Sequence, residues 1–314
     1  MMNTLKDRFI GALAGLACGD AVGTTVEFSP RGSFAPVTDM TGNGPFNLKA
    51  GQWTDDTSMA LCLAESLVEK QAFDARDQMS RYLNWWQWGY LSATGSCFDI
   101  GNTVRDALAR FRDTGEPYSG DTAAHTAGNG SLMRLAPVVL FAHPAPDRLR
   151  ELAALSSRTT HGAAEAVECC ELFALLLDRC LRGTDKASLM QNLADQHWQE
   201  AKVQALAGGG FLQAGYDDII GSGYCIQSLE AALWCFFHTD NYRDAILAAT
   251  NLGDDADTTA AITGQIAGAF YGASAIPEAW MAKLAMRDDI VALATSLFER
   301  THESQASAGL VFQS

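Results

Sequence analysis

The sequence predicts an all-α protein that folds as a single compact domain of many helices. Apolar residues recur at three- and four-residue spacing over most of the 314 residues, as at Ala60, Leu63 and Leu67, whereas the alternating pattern of strands is scarce. No stretch between the apolar segments has the composition of a flexible interdomain linker, and no repeat of 20–50 residues is present. We therefore expect one domain over residues 1–302, followed by a polar tail at 303–314.

The apolar periodicity and the Gly-rich joints place the predicted helices along the chain. Helices are predicted at 5–22, 55–70, 75–89, 100–113, 131–142, 147–156, 161–182, 187–195, 225–238, 241–252, 257–272 and 277–300. The segment Thr258–Gly272 is rich in Ala and Gly, and small residues let helix backbones approach closely. It is therefore predicted to be a central helix that is packed on all sides.

The charge and cysteine pattern narrows the class of protein. A net charge of −15 without clustered Lys or Arg argues against a nucleic-acid partner, because binding to phosphates needs clustered cations. The apolar stretch Phe9–Cys18 is Gly- and Ala-rich and is followed by Asp20, so neither a membrane span nor a signal peptide is expected. Eight cysteines without CxxC spacing indicate reduced thiols in a cytoplasmic protein.

Two acidic clusters lie about 200 residues apart, Trp53-Thr54-Asp55-Asp56-Thr57 and residues 253–259, GDDADTT. Each stands where a helical pattern begins, so capping explains one Asp in each cluster. It does not explain five Asp residues, because neighbouring carboxylates repel unless a cation neutralises them. Mg²⁺ and Mn²⁺ prefer such hard oxygen ligands. The alternative of two separately capped helices with solvated acids stays open at this point.

Four further segments carry residues of chemical interest, each with an ordinary alternative. Glu27 follows the first helix and can be a surface acid, and Asp99 can be the N-cap of a helix that begins near Gly101. The segment 128–134, GNGSLMR, places two glycines before a predicted helix and can offer N–H groups to an anion such as a diphosphate. It matches neither a Walker motif nor a dinucleotide fingerprint. His161 follows two threonines, a setting in which a capping or packed histidine is the ordinary alternative.

In this order and spacing the segments resemble the ADP-ribosylglycohydrolase family, and within it the bacterial dinitrogenase reductase-activating glycohydrolase type. The resemblance covers most of the chain and is carried by the following segments: GDAVGTTVEF (19–28), TDDTSMA (54–60), CFDIG (97–101), GNGSLMR (128–134), TH (160–161) and GDDADTTAAITGQIAGAFYG (253–272). It implies an all-α fold with two divalent metal ions, Mg²⁺ or Mn²⁺, at the mouth of a cleft.

The resemblance also implies roles for individual residues. The implied metal ligands are Thr54, Asp55, Asp56, Asp255, Asp257 and Thr258. Asp254 is left out, because other members often have Gly at that position. Asp99 and Glu27 match the family's candidate catalytic acids, with Asp99 at the substrate end. The implied contacts to ADP-ribose are Asn129, Gly130, Ser131, Met133, His161 and Tyr224, with Tyr224 as the aromatic residue that stacks on adenine.

The expected activity is removal of ADP-ribose from a modified protein side chain, and the match at CFDIG favours an arginine linkage. Cleavage of a ribosyl bond needs protonation of the leaving group and an activated water. Serine-linked or small-molecule ADP-ribose is an alternative substrate. A protein that binds and blocks an ADP-ribosyltransferase toxin is an alternative from a different functional class, and a helical protein without catalysis is the third.

Overall fold

Helices form nearly all of the regular structure in the computed structural model, which describes the backbone of residues 4–311 and the side chains of residues 4–301. Within this range the strand-type pairings are three isolated bridges, so the predicted all-α class is confirmed. The helices are α1 (Leu5–Gly23), α2 (Asp55–Lys70), α3 (Ala75–Trp88), α4 (Asn102–Thr114), α5 (Ala136–Ala142), α6 (Leu149–Arg158), α7 (Ala164–Leu181), α8 (Ala201–Ala207), α9 (Cys225–Phe237), α10 (Tyr242–Thr250), α11 (Ala256–Tyr271), α12 (Glu278–Lys283) and α13 (Arg287–Val311).

Helices α1 and α11 form the centre of the molecule and touch through their backbones. A Cβ atom built on Gly15 would lie 2.4 Å from the carbonyl oxygen of Gly264, and one built on Gly268 would lie 1.8 Å from that of Gly11. Only glycine permits this approach, because real Cβ atoms do not come so close to another backbone. The glycines of α1 recur every four residues through Gly23, which faces the start of α11. The contact therefore sets where the first turn of α11 lies.

The burial of these two helices explains their apolar composition. The segment Leu5–Val26 is long and apolar enough to cross a membrane, but 89% of its most apolar window is buried inside the protein. This is the pattern of a core helix. Helix α11 is buried from Ala256 to Ala269, so the predicted central helix is confirmed.

Several predicted boundaries are wrong because contacts from elsewhere in the fold replace helical hydrogen bonds. The helix predicted at 131–142 begins only at Ala136. Gln265 of α11 donates from its amide nitrogen to the carbonyl oxygens of Leu132 and Met133, and its amide oxygen accepts from the Ala136 N–H. These bonds hold the preceding residues in turns.

The helix predicted at 187–195 is absent from the described structure, where that stretch contains a short 3₁₀ turn at Lys186–Ser188. Arg179 donates to the carbonyl oxygens of Leu189 and Gln191, which removes acceptors that a helix would use. Helix α8 was not predicted. Its first turn follows Gln199 and Glu200, whose N–H groups donate to the carboxylate of Glu168 on α7. This is a tertiary cap that local sequence does not reveal.

The helix predicted at 277–300 is two helices. The break falls at Leu284–Met286, where Met286 has φ 53° and Ala285 bonds to Gly51 through its N–H and to the Trp53 indole through its carbonyl oxygen. The backbone of α13 continues to Val311. The side chains of the predicted polar tail at 303–314 lie outside the described residues, so that division of the chain remains a prediction.

Candidate active site and metal centre

A cavity of about 590 Å³ opens between the N-termini of α2 and α11 and the loops that precede α4 and α5. None of the described residues that line it is a Lys or an Arg. Its lining includes the following residues predicted from the sequence: Glu27, Asp55, Asp99, Asn129, Gly130, Met133, His161, Asp255, Asp257 and Thr258. The structure therefore brings most of the predicted site residues to one place, although they span more than 230 positions of the chain.

Asp20 of α1, which the sequence analysis did not select, anchors the start of α2. One carboxylate oxygen accepts from the N–H and the hydroxyl of Thr54, at 2.9 and 2.8 Å, and the other accepts from the N–H and the hydroxyl of Thr57, at 3.0 and 2.6 Å. Asp20 is completely buried. An acid from another helix thus caps α2, which leaves Asp55 and Asp56 free for another role.

The alternative of two helices capped by their own acids is not what the structure shows. The N-cap residues Thr54 and Asp255 make no side-chain capping bond to their helices. The Thr54 hydroxyl lies 3.1 Å from Asp257 Oδ2 and 3.2 Å from Asp56 Oδ2. Thr258 donates to the same Asp56 oxygen at 3.4 Å. The two acidic clusters of the sequence are therefore one cluster in space.

Two oxygens of this cluster lack a partner. Within the described residues, Asp56 Oδ1 and Asp257 Oδ1 are buried and accept no hydrogen bond. Asp20, Asp56 and Asp257 each bring a carboxylate oxygen to a group in which all of these atoms lie within 4.8 Å of one another. Unpaired buried carboxylates are costly unless a cation coordinates them. The donor set, all oxygen, fits a hard divalent cation.

Glu27, Asp99 and Asp257 form a second such group, also within 4.8 Å. Glu27 is buried, whereas Asp99 is half-buried at the cavity wall. Asp99 does not cap α4, whose N-cap is Gly101, and it has φ 60°, in the left-handed region that is rare for a residue other than Gly. Asp257 thus belongs to both groups and links the acids around Asp56 with Glu27 and Asp99.

Burial and mutual repulsion raise the pKa values of these acids. Burial, then the charge of Asp99, raises the pKa of Glu27 to about 10, and burial raises the pKa of Asp99 to about 7. Burial, assisted by neighbouring acids, raises the pKa values of Asp55, Asp56 and Asp257 well above their usual range. Carboxyl groups in such a setting either hold protons or bind cations.

The loop at 128–134 is held by a buried cation that the sequence analysis quoted but did not single out. Arg134 is completely buried and donates to the Gly130 carbonyl oxygen at 2.9 Å and to the Thr160 hydroxyl at 2.7 Å. Its guanidinium also lies 4.9 Å from the centroid of the Tyr82 ring. The loop is thereby tied to the segment that carries His161. Within the described residues the N–H groups of Gly130 and Ser131 donate to no protein atom.

His161 lies beneath this loop. A Cβ on Gly130 would lie 2.7 Å from the His161 ring, so glycine is required for the ring to pack there. Thr160 Oγ1 lies 2.9 Å from His161 Nδ1. Burial, and then the charge of Arg134, lowers the pKa of His161 to about 3. The imidazole is therefore neutral at physiological pH.

The remaining predicted contact residues have different positions. The Asn129 amide donates to Asp255 Oδ2 at 2.8 Å, which links the loop to the acidic cluster. Ser131 does not line the cavity: its hydroxyl is buried and accepts hydrogen bonds from Ser157 and Cys170. Tyr224 lines a neighbouring cavity of about 570 Å³, where its hydroxyl accepts from Lys202 at 2.7 Å and donates to Glu165. The two cavities share Thr103, Gly128 and Gly223.

A buried cluster of acids over helix N-termini, beside a loop with free N–H groups, could hold metal ions next to an anionic substrate. A family model described as ADP-ribosylglycohydrolase matches residues 1–307, and the chain belongs to the ADP-ribosylglycohydrolase family. The predicted family and enzyme class are thus confirmed.

Relatives and a solved structure agree with this assignment. The chain is 43% identical over 306 residues to an ADP-ribosylarginine hydrolase Tri1 of Pseudomonas putida (strain GB-1), which covers 98% of this chain and 82% of that protein. It is 32% identical over 299 residues to the ADP-ribosyl-[dinitrogen reductase] glycohydrolase of Rhodospirillum rubrum, covering 90% and 92%. A solved structure titled ADP-ribosylglycohydrolase-related protein complex matches with a TM-score of 0.85 and 43% identity, covering 96% of this chain and all of that one.

Proposed function

We propose that this protein is a metal-dependent hydrolase that removes ADP-ribose from modified arginine side chains of proteins. The observation that carries the proposal is the pair of carboxyl groups of Glu27 and Asp99, which share a group of oxygens with Asp257 at the wall of one cavity. The names of the Tri1 relatives, which specify ADP-ribosylarginine, support the arginine linkage.

The residues present fit a pair of divalent ions, Mg²⁺ or Mn²⁺. Their proposed ligands are Thr54, Asp55, Asp56, Asp255, Asp257 and Thr258. When bound, such ions polarise ribose hydroxyls and lower the pKa of water. Asp20 is not among the proposed ligands, because its two carboxylate oxygens accept hydrogen bonds from the N–H groups and hydroxyls at the start of α2. Through these bonds it holds Thr54 in position.

The loop at 128–134 is suited to the diphosphate of ADP-ribose. The N–H groups of Gly130 and Ser131 are available, whereas the Ser131 hydroxyl is engaged with buried neighbours. We therefore assign the backbone of Ser131, not its hydroxyl, to anion binding. Met133 of the loop and neutral His161 line the same cavity, and Tyr224 stands in the adjoining cavity where an adenine base can stack.

Asp99 is suited to the guanidinium side of the scissile bond. It is half-buried at the cavity wall, and burial raises the pKa of its carboxyl group, which favours a role as proton donor. In the proposed reaction water adds to the anomeric carbon of the ribose as the bond from that carbon to the arginine nitrogen breaks. The carboxyl group of Asp99 gives its proton to the departing guanidine nitrogen, so that arginine leaves as a guanidinium ion, and the resulting carboxylate can take up the proton that the water loses. Glu27, which is more deeply buried than Asp99, is the alternative proton donor.

The charge of the protein fits this division of roles. A net charge of −15 repels a diphosphate, so the cations at the acidic cluster and the N–H groups of the loop are the features that attract it. All eight cysteines are free thiols, which supports a reducing, cytoplasmic location as part of the proposal.

The test is release of ADP-ribose from an arginine-ADP-ribosylated protein, with Mg²⁺ or Mn²⁺ and again with EDTA. We expect release with either ion and loss of release with EDTA. A matched serine-ADP-ribosylated protein is the control for linkage. If only the serine-linked protein is hydrolysed, the arginine assignment is wrong. Absence of release from both substrates, combined with co-purification of an ADP-ribosyltransferase, would instead support a protein that blocks such a toxin.

A further inference from the structure

Three phenylalanine rings form a continuous strip beside the cavity. Phe28 and Phe46 have ring centroids 6.2 Å apart in an edge-to-face arrangement, and Phe46 and Phe98 have centroids 5.1 Å apart. Phe28 is 65% exposed, whereas Phe46 and Phe98 are half-buried. We call Phe28, Phe46 and Phe98 the aromatic strip. Single exposed apolar residues are ordinary, but contiguous ones mark interaction surfaces.

The backbone holds the outermost ring in place at a conformational cost. Phe28 has φ 62°, a left-handed conformation that is unfavourable for a bulky residue. Its N–H donates to the Asp254 carbonyl oxygen at 2.8 Å, and the Asp254 N–H donates to Ser29 at 2.8 Å. These two hydrogen bonds connect the backbone at Phe28 to the turn that leads into α11. They hold the Phe28 ring in an exposed position.

The strip adjoins the candidate active site. Phe28 lines the cavity and directly follows Glu27, while Phe98 directly precedes Asp99. Under the proposed function, the loop at 128–134 receives the diphosphate, and Asp99 receives the guanidinium of the modified arginine. The strip therefore adjoins the residue that, under the proposed function, receives the arginine side chain of the acceptor polypeptide.

We infer that the aromatic strip is the docking surface for the polypeptide segment that flanks the modified arginine. This inference rests on the proposed function. Exposed Asp254, whose backbone is bonded to Phe28, lines the cavity beside the strip, and the described cavity lining contains no Lys or Arg, so the segment that fits is apolar or basic and not acidic. Free ADP-ribosylarginine has no flanking segment and makes no use of this surface.

The experiment compares kcat/KM for an arginine-ADP-ribosylated protein with kcat/KM for free ADP-ribosylarginine, in the wild-type protein and in Phe46→Ser. Phe46 touches both other rings and does not line the cavity. We expect Phe46→Ser to lower kcat/KM for the protein substrate about ten-fold, as for loss of one aromatic anchor, and to leave hydrolysis of the free compound within about two-fold. Phe46→Leu should retain most of the activity on protein.

Tyr118→Ser is the matched control, because Tyr118 is a 40% exposed aromatic residue that belongs neither to the aromatic strip nor to the cavity lining. It should change neither rate. Equal losses on both substrates, or no loss on the protein, would overturn the inference. If Phe46→Ser does not fold, the wild-type protein still decides: kcat/KM must rise from free ADP-ribosylarginine to modified peptides with apolar or basic flanks. Failure to hydrolyse any of these substrates would count against the proposed function instead.

Discussion

The carboxylate of Asp20 accepts a hydrogen bond of 2.8 Å from the hydroxyl of Thr54, and the same hydroxyl lies 3.1 Å from Asp257. One threonine thus connects an acid of α1, the start of α2 and an acid of α11. The position of the acidic cluster is therefore set by three helices at once, and each can be tested separately.

Replacing Asp20 with Ala should destabilise the protein. The change removes the acceptors of four hydrogen bonds at the start of α2, so we expect the free energy of unfolding to fall by about 1–3 kcal/mol. The affinity for Mg²⁺ should fall as well, because Thr54 loses its support. Chemical denaturation and calorimetric titration measure the two effects. Asp106→Ala removes the same charge from an exposed position and should be neutral.

A comparison of Asp257→Ala with Asp99→Ala should separate metal binding from the proton transfer assigned to Asp99. Asp257→Ala should abolish both the rise in Tm on addition of Mn²⁺ and the hydrolysis, because Asp257 belongs to both acidic groups. Asp99→Ala should retain the rise in Tm but lose at least about 100-fold in kcat, as for loss of a general acid. Exposed Asp106, which does not line the cavity, is the control, and Asp106→Ala should keep both properties. Near wild-type turnover in Asp99→Ala would falsify the role assigned to that residue.

Replacing Arg134 with Lys should impair substrate binding more than folding. The guanidinium donates to both Gly130 and Thr160, and an ammonium group cannot reproduce that fork. We expect KM to rise by about ten-fold, with an unchanged rise in Tm on addition of Mn²⁺, because the loop loses its preorganisation. Steady-state kinetics with Arg105→Lys, an exposed arginine, as control provide the measurement. An unaltered KM would show that Arg134 does not position the loop at 128–134 for substrate binding.

His161 should contribute to acid sensitivity. Its pKa is lowered to about 3 in the folded protein by burial, whereas an unfolded histidine titrates near its ordinary value of 6.5. Between these values the unfolded state binds more protons, so the free energy of unfolding falls as the pH falls from 6.5 towards 3. Relative to His161→Gln, the wild-type protein should lose about 2 kcal/mol between pH 7 and pH 5. Parallel pH profiles for the two proteins would show that His161 does not titrate in this way.

The fold class and the acidic cluster were accessible from sequence because each leaves a local signal. Helical periodicity marks most helices, and Asp-Asp pairs at helix starts mark the cluster. Asp20 and Arg134 leave no such signal. Asp20 lies inside an apolar helix and acquires its role through hydrogen bonds to Thr57 of α2. Arg134 follows a glycine-rich loop and acquires its role through a hydrogen bond to Thr160. The late start of α5 has the same origin, because Gln265 of α11 sets it. The four-residue spacing of glycines in α1 was visible, and it could have identified the partner of α11.

The backbone contact between α1 and α11 joins two segments that lie more than 200 residues apart in the sequence. It therefore determines when the site can form during synthesis. A nascent chain that has reached residue 250 already contains Asp20, Thr54 and Asp56, but it lacks Asp257 and the helix that α1 packs against. Asp20 and Asp56 therefore cannot contact Asp257 until α11 has left the ribosome. The candidate metal centre and the central helix pair can therefore be complete only after residue 271 has been synthesised.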